Sequence, residues 1–196
     1  PQKVIETVSQ LTKGEAVVVT DVGQHQMWSA LLYQSKNPRS FLSSGGLGTM
    51  GYGLPAAIGA QIGREKEEVW VFIGDGGFLM NCQEMATAVE HQLPIKVVVL
   101  NNRCLGMVQQ WQRLFFNGHM SHSQFQVDTN FAKLAEAFGA AAQRVTERKD
   151  LEQALMEAKN AKGPYLVDVM VTPDENVYPM VPAGASLEEM MEWSDF

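Results

Sequence analysis

Four runs along the chain, at residues 16–20 (AVVVT), 69–73 (VWVFI), 95–100 (IKVVVL) and 165–171 (YLVDVMV), are rich in β-branched residues and almost unbroken in apolar character. A half-solvated strand alternates apolar with polar. An unbroken run suits a strand with both faces covered, as in a parallel sheet between helices. Weaker strand candidates lie at 40–43 and at 141–145, the second just after Phe138-Gly139-Ala140. Helical patterns fill the gaps. Residues 3–11 set Val4, Val8 and Leu11 on one stripe, and Gly14 supplies a stop. Further helices are predicted at 26–34, at 54–62 with Pro55 near its start, and at 78–91, 131–138 and 151–161. This alternation predicts an α/β domain: a doubly wound, mainly parallel six-stranded sheet with helices on both faces and right-handed crossovers. From Pro173 onward, Pro179, Pro182 and Gly184 predict an irregular tail with a short helix at 187–193. Residues 1–172 form the main body in this reading, and 173–196 belong to the same domain.

Composition excludes more than it assigns. The 196 residues suffice for one domain with a buried core, and 45% apolar with 19% charged residues is ordinary for a globular protein. A net charge of −7 argues against nucleic acid or an anionic membrane surface as partner. No apolar run approaches the roughly 20 residues that cross a bilayer. Cys82 and Cys104 are too far apart for a CxxC motif and read as free thiols in a reducing compartment, the cytoplasm. The start, Pro1-Gln2-Lys3-Val4, lacks the basic and apolar regions of a signal peptide and also an initiator Met, so the expectation is a piece of a longer chain.

The chemistry concentrates at two strand ends. Gly74-Asp75-Gly76-Gly77 follows the run at 69–73, and Asn101-Asn102 follows the run at 95–100. One strand–helix–strand unit separates them, so both should emerge at the carboxyl edge of neighbouring parallel strands, where such sheets bind ligands. Asp75 offers an anionic oxygen and Asn102 a neutral carbonyl oxygen, a donor pair suited to a hard cation such as Mg²⁺. Gly76 and Gly77 remove side chains where backbone N–H groups at a helix start could meet a diphosphate. Alone, Gly-Asp-Gly also reads as a turn, and Asn-Asn as a helix cap. The pairing of the two at adjoining strand ends favours a site.

That pairing resembles the signature of the thiamine diphosphate enzymes. Within them the chain is similar to the acetohydroxyacid synthase (acetolactate synthase) family, in its large, catalytic subunit. The resemblance rests on the stretches from Thr20 to Trp28 (TDVGQHQMW), Gly45 to Ala57 (GGLGTMGYGLPAA), Leu105 to Gln112 (LGMVQQWQ) and Glu175 to Ala185 (ENVYPMVPAGA). It implies that Asp75, Asn102 and the backbone carbonyl of Cys104 ligate Mg²⁺. It also implies that Gln24, His25, Gly76, Gly77, Leu105, Gly106 and Met107 line the diphosphate end of thiamine diphosphate. Gly48 and Met50 would address the aminopyrimidine ring, with the Met50 side chain as the apolar wedge that bends the cofactor. Trp111 would border the substrate channel, with Ala183 nearby.

Plainer readings stand beside these. His25 also suits a helix start, Met50 plain core, and Trp111 simple packing. His119 and His122 form a His-x-x-His pair in a loop without an acidic or thiol partner at useful spacing, a poor metal motif. Cys104 has no His within its motif, which argues against a nucleophile. Gly51-Tyr52-Gly53 lacks the preceding strand and following acidic residue of a dinucleotide fingerprint.

The resemblance further implies absent parts. In that family an activating Glu on another domain, normally of a second subunit, completes the cofactor site, so no catalytic residue is assigned within this chain. An FAD-binding domain is absent as well, with Gly45-Gly46 as its point of contact. The implied parent decarboxylates pyruvate and transfers the hydroxyethyl unit to a second 2-oxo acid, giving acetolactate or acetohydroxybutyrate for branched-chain amino acids. A homodimer or larger oligomer and a small regulatory subunit are implied partners, and the isolated chain should catalyse little. Two alternatives remain: a sibling such as pyruvate oxidase, a catabolic acetolactate synthase or a 2-oxo acid decarboxylase, or a noncatalytic Mg-diphosphate-binding module. Apolar surface left bare by absent domains should drive self-association.

Overall fold

A computed structural model describes residues 1–192. The chain runs α1 (Gln2–Thr12), β1 (Val17–Thr20), α2 (Gln24–Leu32), β2 (Phe41–Ser43), α3 (Gly53–Gly63), β3 (Val69–Gly74), α4 (Asp75–Asn81), α5 (Met85–Glu90), β4 (Lys96–Asn101), α6 (Gly106–Phe115), α7 (Phe131–Ala137), β5 (Ala141–Val145), α8 (Leu151–Asn160) and β6 (Tyr165–Met170). The six strands form one sheet in the order β2-β1-β3-β4-β6-β5, and every pairing is parallel. The unbroken apolar runs are explained by burial on both faces. Within β3, Trp70 and Phe72 enter one core cluster with Val4, Val8, Trp28 and Leu155, while Val69, Val71 and Ile73 enter another with Leu54, Phe78, Met85 and Phe131. Phe78 and Phe131 meet edge to face at 5.6 Å between ring centres, an arrangement suited to aromatic quadrupoles.

Chain order reverses between β1 and β3: β1 leads outward to β2, and the chain then returns to the far side of β1. A crevice opens at the carboxyl ends of strands flanking such a switch. The register pairs Gly74 with Leu100, which sets the ends of β3 and β4 side by side.

Several boundaries differ from the sequence expectation, for local reasons. Helix α2 starts at Gln24 rather than residue 26, placing His25 in its first turn. The stretch expected as one helix over 78–91 starts already at Asp75 and is broken by a 3-10 turn at Cys82–Glu84. Asn81 leaves helical geometry there (φ −139°) while its side chain donates to the Gly51 carbonyl at 2.6 Å. Asn readily takes such local alternatives to helix. Strand β4 is shifted by one residue, so that Asn101 belongs to it; its carbonyl accepts from Val171 N–H at 3.0 Å. Helix α6 was not anticipated as an element at all, although Val108, Trp111 and Phe115 fall at helical spacing. In the tail, the expected helix at 187–193 is a single 3-10 turn, Leu187–Glu189, held by a Ser186–Glu189 capping box. Met191 instead makes a bridge with Met180, and Trp193 lies outside the described residues. No helix among the described residues is long and apolar enough to cross a membrane.

Candidate functional site

Three strand ends and the loops after them enclose a cavity of about 210 Å³. Gly23, Gln24 and His25 come from the β1 side, Gly74 to Gly77 from the end of β3 and the start of α4, and Asn102 with Cys104 to Val108 from beyond β4. Gly48 and Met50 reach in from the loop before α3. Twelve residues named from the sequence therefore share one lining: Gln24, His25, Gly48, Met50, Asp75, Gly76, Gly77, Asn102, Cys104, Leu105, Gly106 and Met107.

Asp75 is 2% exposed. Its Oδ1 accepts from the Gly76 N–H at 2.7 Å, and its Oδ2 has no partner among the described residues. Burial pushes its carboxyl up to about 6, although the backbone N–H groups of Gly76, Arg103 and Cys104 work the other way. The Asn102 Oδ1 accepts from the Cys104 N–H at 3.2 Å. The carboxylate of residue 75 and the amide oxygen of residue 102 are thus drawn to the same backbone amide, from two strand ends. Asn101 behaves differently: its Nδ2 donates to Asp168 at 3.0 Å, inside the sheet and away from the cavity.

His25 is buried with its Nε2 unpartnered. Burial lowers its pKa to about 4, against the pull of the Asp21 carboxylate and the hydrogen bond to the Asp21 backbone. At neutral pH the ring is uncharged, and its free nitrogen is an acceptor. Gln24 donates through Nε2 to Gln110 Oε1 and to the Glu175 carbonyl, each at 2.8 Å, which leaves its buried Oε1 without a partner. Three acceptors without a partner among the described residues, Gln24 Oε1, His25 Nε2 and Asp75 Oδ2, thus belong to side chains that line one small cavity. Buried polar atoms in folded proteins are nearly always paired, so such a cluster asks for an absent cation or donor.

The glycines have a structural meaning beside the one the sequence suggested. A side chain at Gly77 would run into the Asp21 carboxylate, and one at Gly76 would come within 2.7 Å of Leu105 Cδ2. Both residues line the cavity, but their missing side chains make room for the protein itself. Asp21, within the TDVGQHQMW stretch, has a structural role. It is fully buried, accepts from Gly51 N–H at 3.1 Å and Gly53 N–H at 2.7 Å, and so ties the loop bearing Gly48 and Met50 to the end of β1. Its only local signal was an acidic residue at the end of an apolar strand. Met50 does reach over α4: its Cε lies 3.5 Å from where a Gly76 Cβ would stand.

Trp111 and Ala183 lie outside this lining. Trp111 is 48% exposed and borders a separate groove of about 590 Å³ with Phe115 and Phe116. That groove shares Met107 and Val108 with the cavity. Ala183 is exposed and lines neither. The Cys104 thiol is buried, and burial together with the nearby Asp75 pushes it up to about 12, which leaves it protonated and poorly nucleophilic. Gly45 and Gly46 are exposed with open space around them.

Fold and cavity together define a doubly wound α/β domain whose strand-end site, among the described residues, lacks a positive partner. The family described as "Thiamine pyrophosphate enzyme, C-terminal TPP binding domain" matches residues 21–169, and the chain belongs to that family. Among curated relatives it is 45% identical to acetolactate synthase 2, chloroplastic, of Nicotiana tabacum, over 100% of this chain and 30% of that protein. It is 47% identical to the acetolactate synthase isozyme 2 large subunit of Escherichia coli (strain K12), over 96% of this chain and 34% of that protein. The acetolactate synthase large subunit of Lactococcus lactis is 46% identical over 97% of this chain and 33% of its own length. The chain thus spans about a third of the length of these relatives.

Proposed function

We propose that this chain is the cofactor-holding domain of an acetolactate synthase catalytic subunit, and that it grips the diphosphate of thiamine diphosphate through Mg²⁺. The observation that carries this is the convergence of three unpartnered acceptors, Gln24 Oε1, His25 Nε2 and Asp75 Oδ2, on one cavity. Acceptors alone repel a diphosphate. With a divalent cation among them they become its anchor, and the ion's remaining sites bind phosphate oxygens.

Asp75, Asn102 and the Cys104 carbonyl would hold the ion, and Gln24, His25, Gly76, Gly77, Leu105, Gly106 and Met107 would line the diphosphate end around it. Gly48 and Met50 would face the pyrimidine ring, Met50 as the apolar body against which the cofactor bends. Thiamine diphosphate, when bound, supplies a carbon acid that stabilises negative charge left by decarboxylation. The residues of this chain bind and orient it and keep water out. Trp111 would border the path for pyruvate and the second 2-oxo acid; its exposure beside Met107 and Val108 supports a place at the mouth rather than in the wall. Ala183 would approach that path in the assembled enzyme.

The whole protein would carry further domains, including an FAD-binding one and the activating Glu, act as a homodimer or larger oligomer, and accept a small regulatory subunit. Two free thiols suit a reducing compartment, and we place the protein in the cytoplasm, although some relatives are named chloroplastic. The tail would be part of the same domain, which its bonds to Gln24 and Gln110 support. Calorimetry tests the central claim. Asp75→Ala should reduce Mg²⁺-dependent thiamine diphosphate binding at least about a hundredfold, the scale of one lost charge-assisted contact or more. Unchanged binding by that variant would refute the assignment.

A further inference from the structure

The segment from Ser123 to Phe125 lies outside the cavity lining, yet it is bonded to the stretch that follows Asn102. The Leu105 N–H donates to the Ser123 carbonyl at 2.8 Å, and the Phe125 N–H donates to the Arg103 carbonyl at 2.9 Å. Cys104 and Gln124 therefore face each other as an antiparallel bridge, with the bonds made by the residues on either side of Cys104.

In a pair of this kind the middle residue turns its own N–H and carbonyl away from the neighbouring segment. The Cys104 N–H obeys the rule: it donates to Asn102 Oδ1 at 3.2 Å and works on the Asp75 carboxyl from the same side. In extended backbone the carbonyl of a residue leaves the chain on the side of its N–H. The bridge thus also turns the Cys104 carbonyl toward Asp75 and Asn102. Just before it, Arg103 stands at φ 57°, a left-handed conformation that a non-glycine residue keeps only where its surroundings hold it.

The segment is fastened through a buried hydroxyl. Ser123 is 1% exposed, and its Oγ donates to Gln112 Oε1 at 2.6 Å. Gln112 Nε2 donates in turn to the Ser121 carbonyl at 2.9 Å, so one side chain of α6 clasps the segment at two points. The far end of the segment reaches the other ligand-bearing stretch. Phe125 Cζ lies 3.3 Å from where a Gly76 Cβ would stand, next to Asp75.

We infer that Ser123, held by Gln112, is a positioning residue for the metal end of the cofactor site: it fixes the segment that aims the Cys104 carbonyl at the ion. The inference rests on the reading of Asp75, Asn102 and the Cys104 carbonyl as Mg²⁺ ligands. It goes further in giving a backbone ligand, which has no side chain to steer it, the device that sets its direction. Mg²⁺ demands a near-ideal octahedron at short distance, whereas Ca²⁺ accepts longer and less regular contacts. A loosened carbonyl should therefore cost Mg²⁺ more than Ca²⁺.

The experiment follows thiamine diphosphate binding to the full-length protein by calorimetry, titrating Mg²⁺ in one series and Ca²⁺ in another. Ser123→Ala should raise the Mg²⁺ needed for half-saturation about tenfold, the scale of one misplaced ligand contact, and the Ca²⁺ needed less than about threefold. The preference for Mg²⁺ over Ca²⁺ should thus fall at least about threefold. General damage to the fold would move both ions together. Gln112→Met removes the acceptor of the Ser123 hydroxyl and should reproduce the change in preference. Gln112→Glu keeps that acceptor and should stay within about twofold of the natural protein. Should the Ser123 variant fail to fold, the two Gln112 variants decide alone. Equal losses for the two ions, an unchanged preference, or a Gln112→Glu variant as altered as Gln112→Met would each overturn the inference. A natural protein that binds cofactor equally well without any divalent ion would instead remove the metal assignment beneath it.

Discussion

Asp75 and Asp168 are both buried carboxylates near the carboxyl edge of one sheet, and their surroundings could hardly be more different. Asp168, in β6, accepts from Asn101 Nδ2 at 3.0 Å on one oxygen and from the Phe131 N–H at 3.2 Å on the other. Arg144 Nε stands 3.5 Å from that second oxygen and supplies the compensating charge. Asp75, after β3, has Gly76 N–H on one oxygen and nothing on the other. Burial raises the pKa of both. One carboxylate is finished by the protein, and the other is left for something else to finish. The contrast separates burial that serves folding from burial that serves binding, in the same residue type within the same layer.

Removing each group is the largest way to break the comparison. Asp168→Ala leaves Asn101 Nδ2 and the Phe131 N–H without their partner and Arg144 with Asp128 alone, and should cost about 3–5 kcal/mol in chemical denaturation. Variant protein that remains folded should still bind Mg²⁺ and thiamine diphosphate. Equal loss of binding by the Asp168 and Asp75 variants would erase the distinction.

The opposite sign is expected at Asp75. Its folded pKa of about 6 lies above the 3.8 of the free group, so the folded state binds the proton more tightly than the unfolded one. Stability is therefore higher below pH 3.8 and falls as pH rises through about 6, reaching a penalty of up to about 3 kcal/mol at neutrality. Metal-free Asp75→Asn should escape that penalty. Thermal melts between pH 4 and 7.5 should find the variant gaining on the natural protein as pH rises. With Mg²⁺ and cofactor at about 100 times their Kd, the natural protein should recover about 2.7 kcal/mol and the variant nothing. A natural protein already as stable as the variant at pH 7.5 without metal would contradict the account.

A finer version uses two adjacent amides. Asn101→Ala breaks the bond to Asp168 and should cost about 1–2 kcal/mol while sparing cofactor binding. Asn102→Ala should change stability by less than about 0.5 kcal/mol, being partly exposed with one local bond, and should weaken Mg²⁺-dependent binding. Melting midpoints and calorimetry on the two variants, side by side, check the crossover.

The strands were legible because burial on both faces leaves a run of apolar residues, and β3 and β4 carry such runs. The position of Asp75 and Asn102 at neighbouring strand ends followed from one crossover unit between them. Helix α6 was missed because its residues were read as a motif rather than as a period. Where Asn101 points was equally hidden, since a one-residue shift in a strand turns a side chain to the other face. Gln110 and Asp21 could not have been read at all. Their partners are up to 86 residues distant in sequence, and no local pattern distinguishes a glutamine that clasps a tail from one that faces water.

The crowding behind Gly76 and Gly77 has a bearing on how descendants of this domain would drift. Leu105 and Asp21 occupy the room that side chains at 76 and 77 would need, whether or not a ligand is ever bound. A lineage that abandoned its chemistry would thus be held to both glycines by folding alone, yet would gain robustness by discarding the acid between Gly74 and Gly76. In a decayed copy the signature would survive with its centre replaced, so position 75, more than the glycines around it, tells a working domain from a retired one.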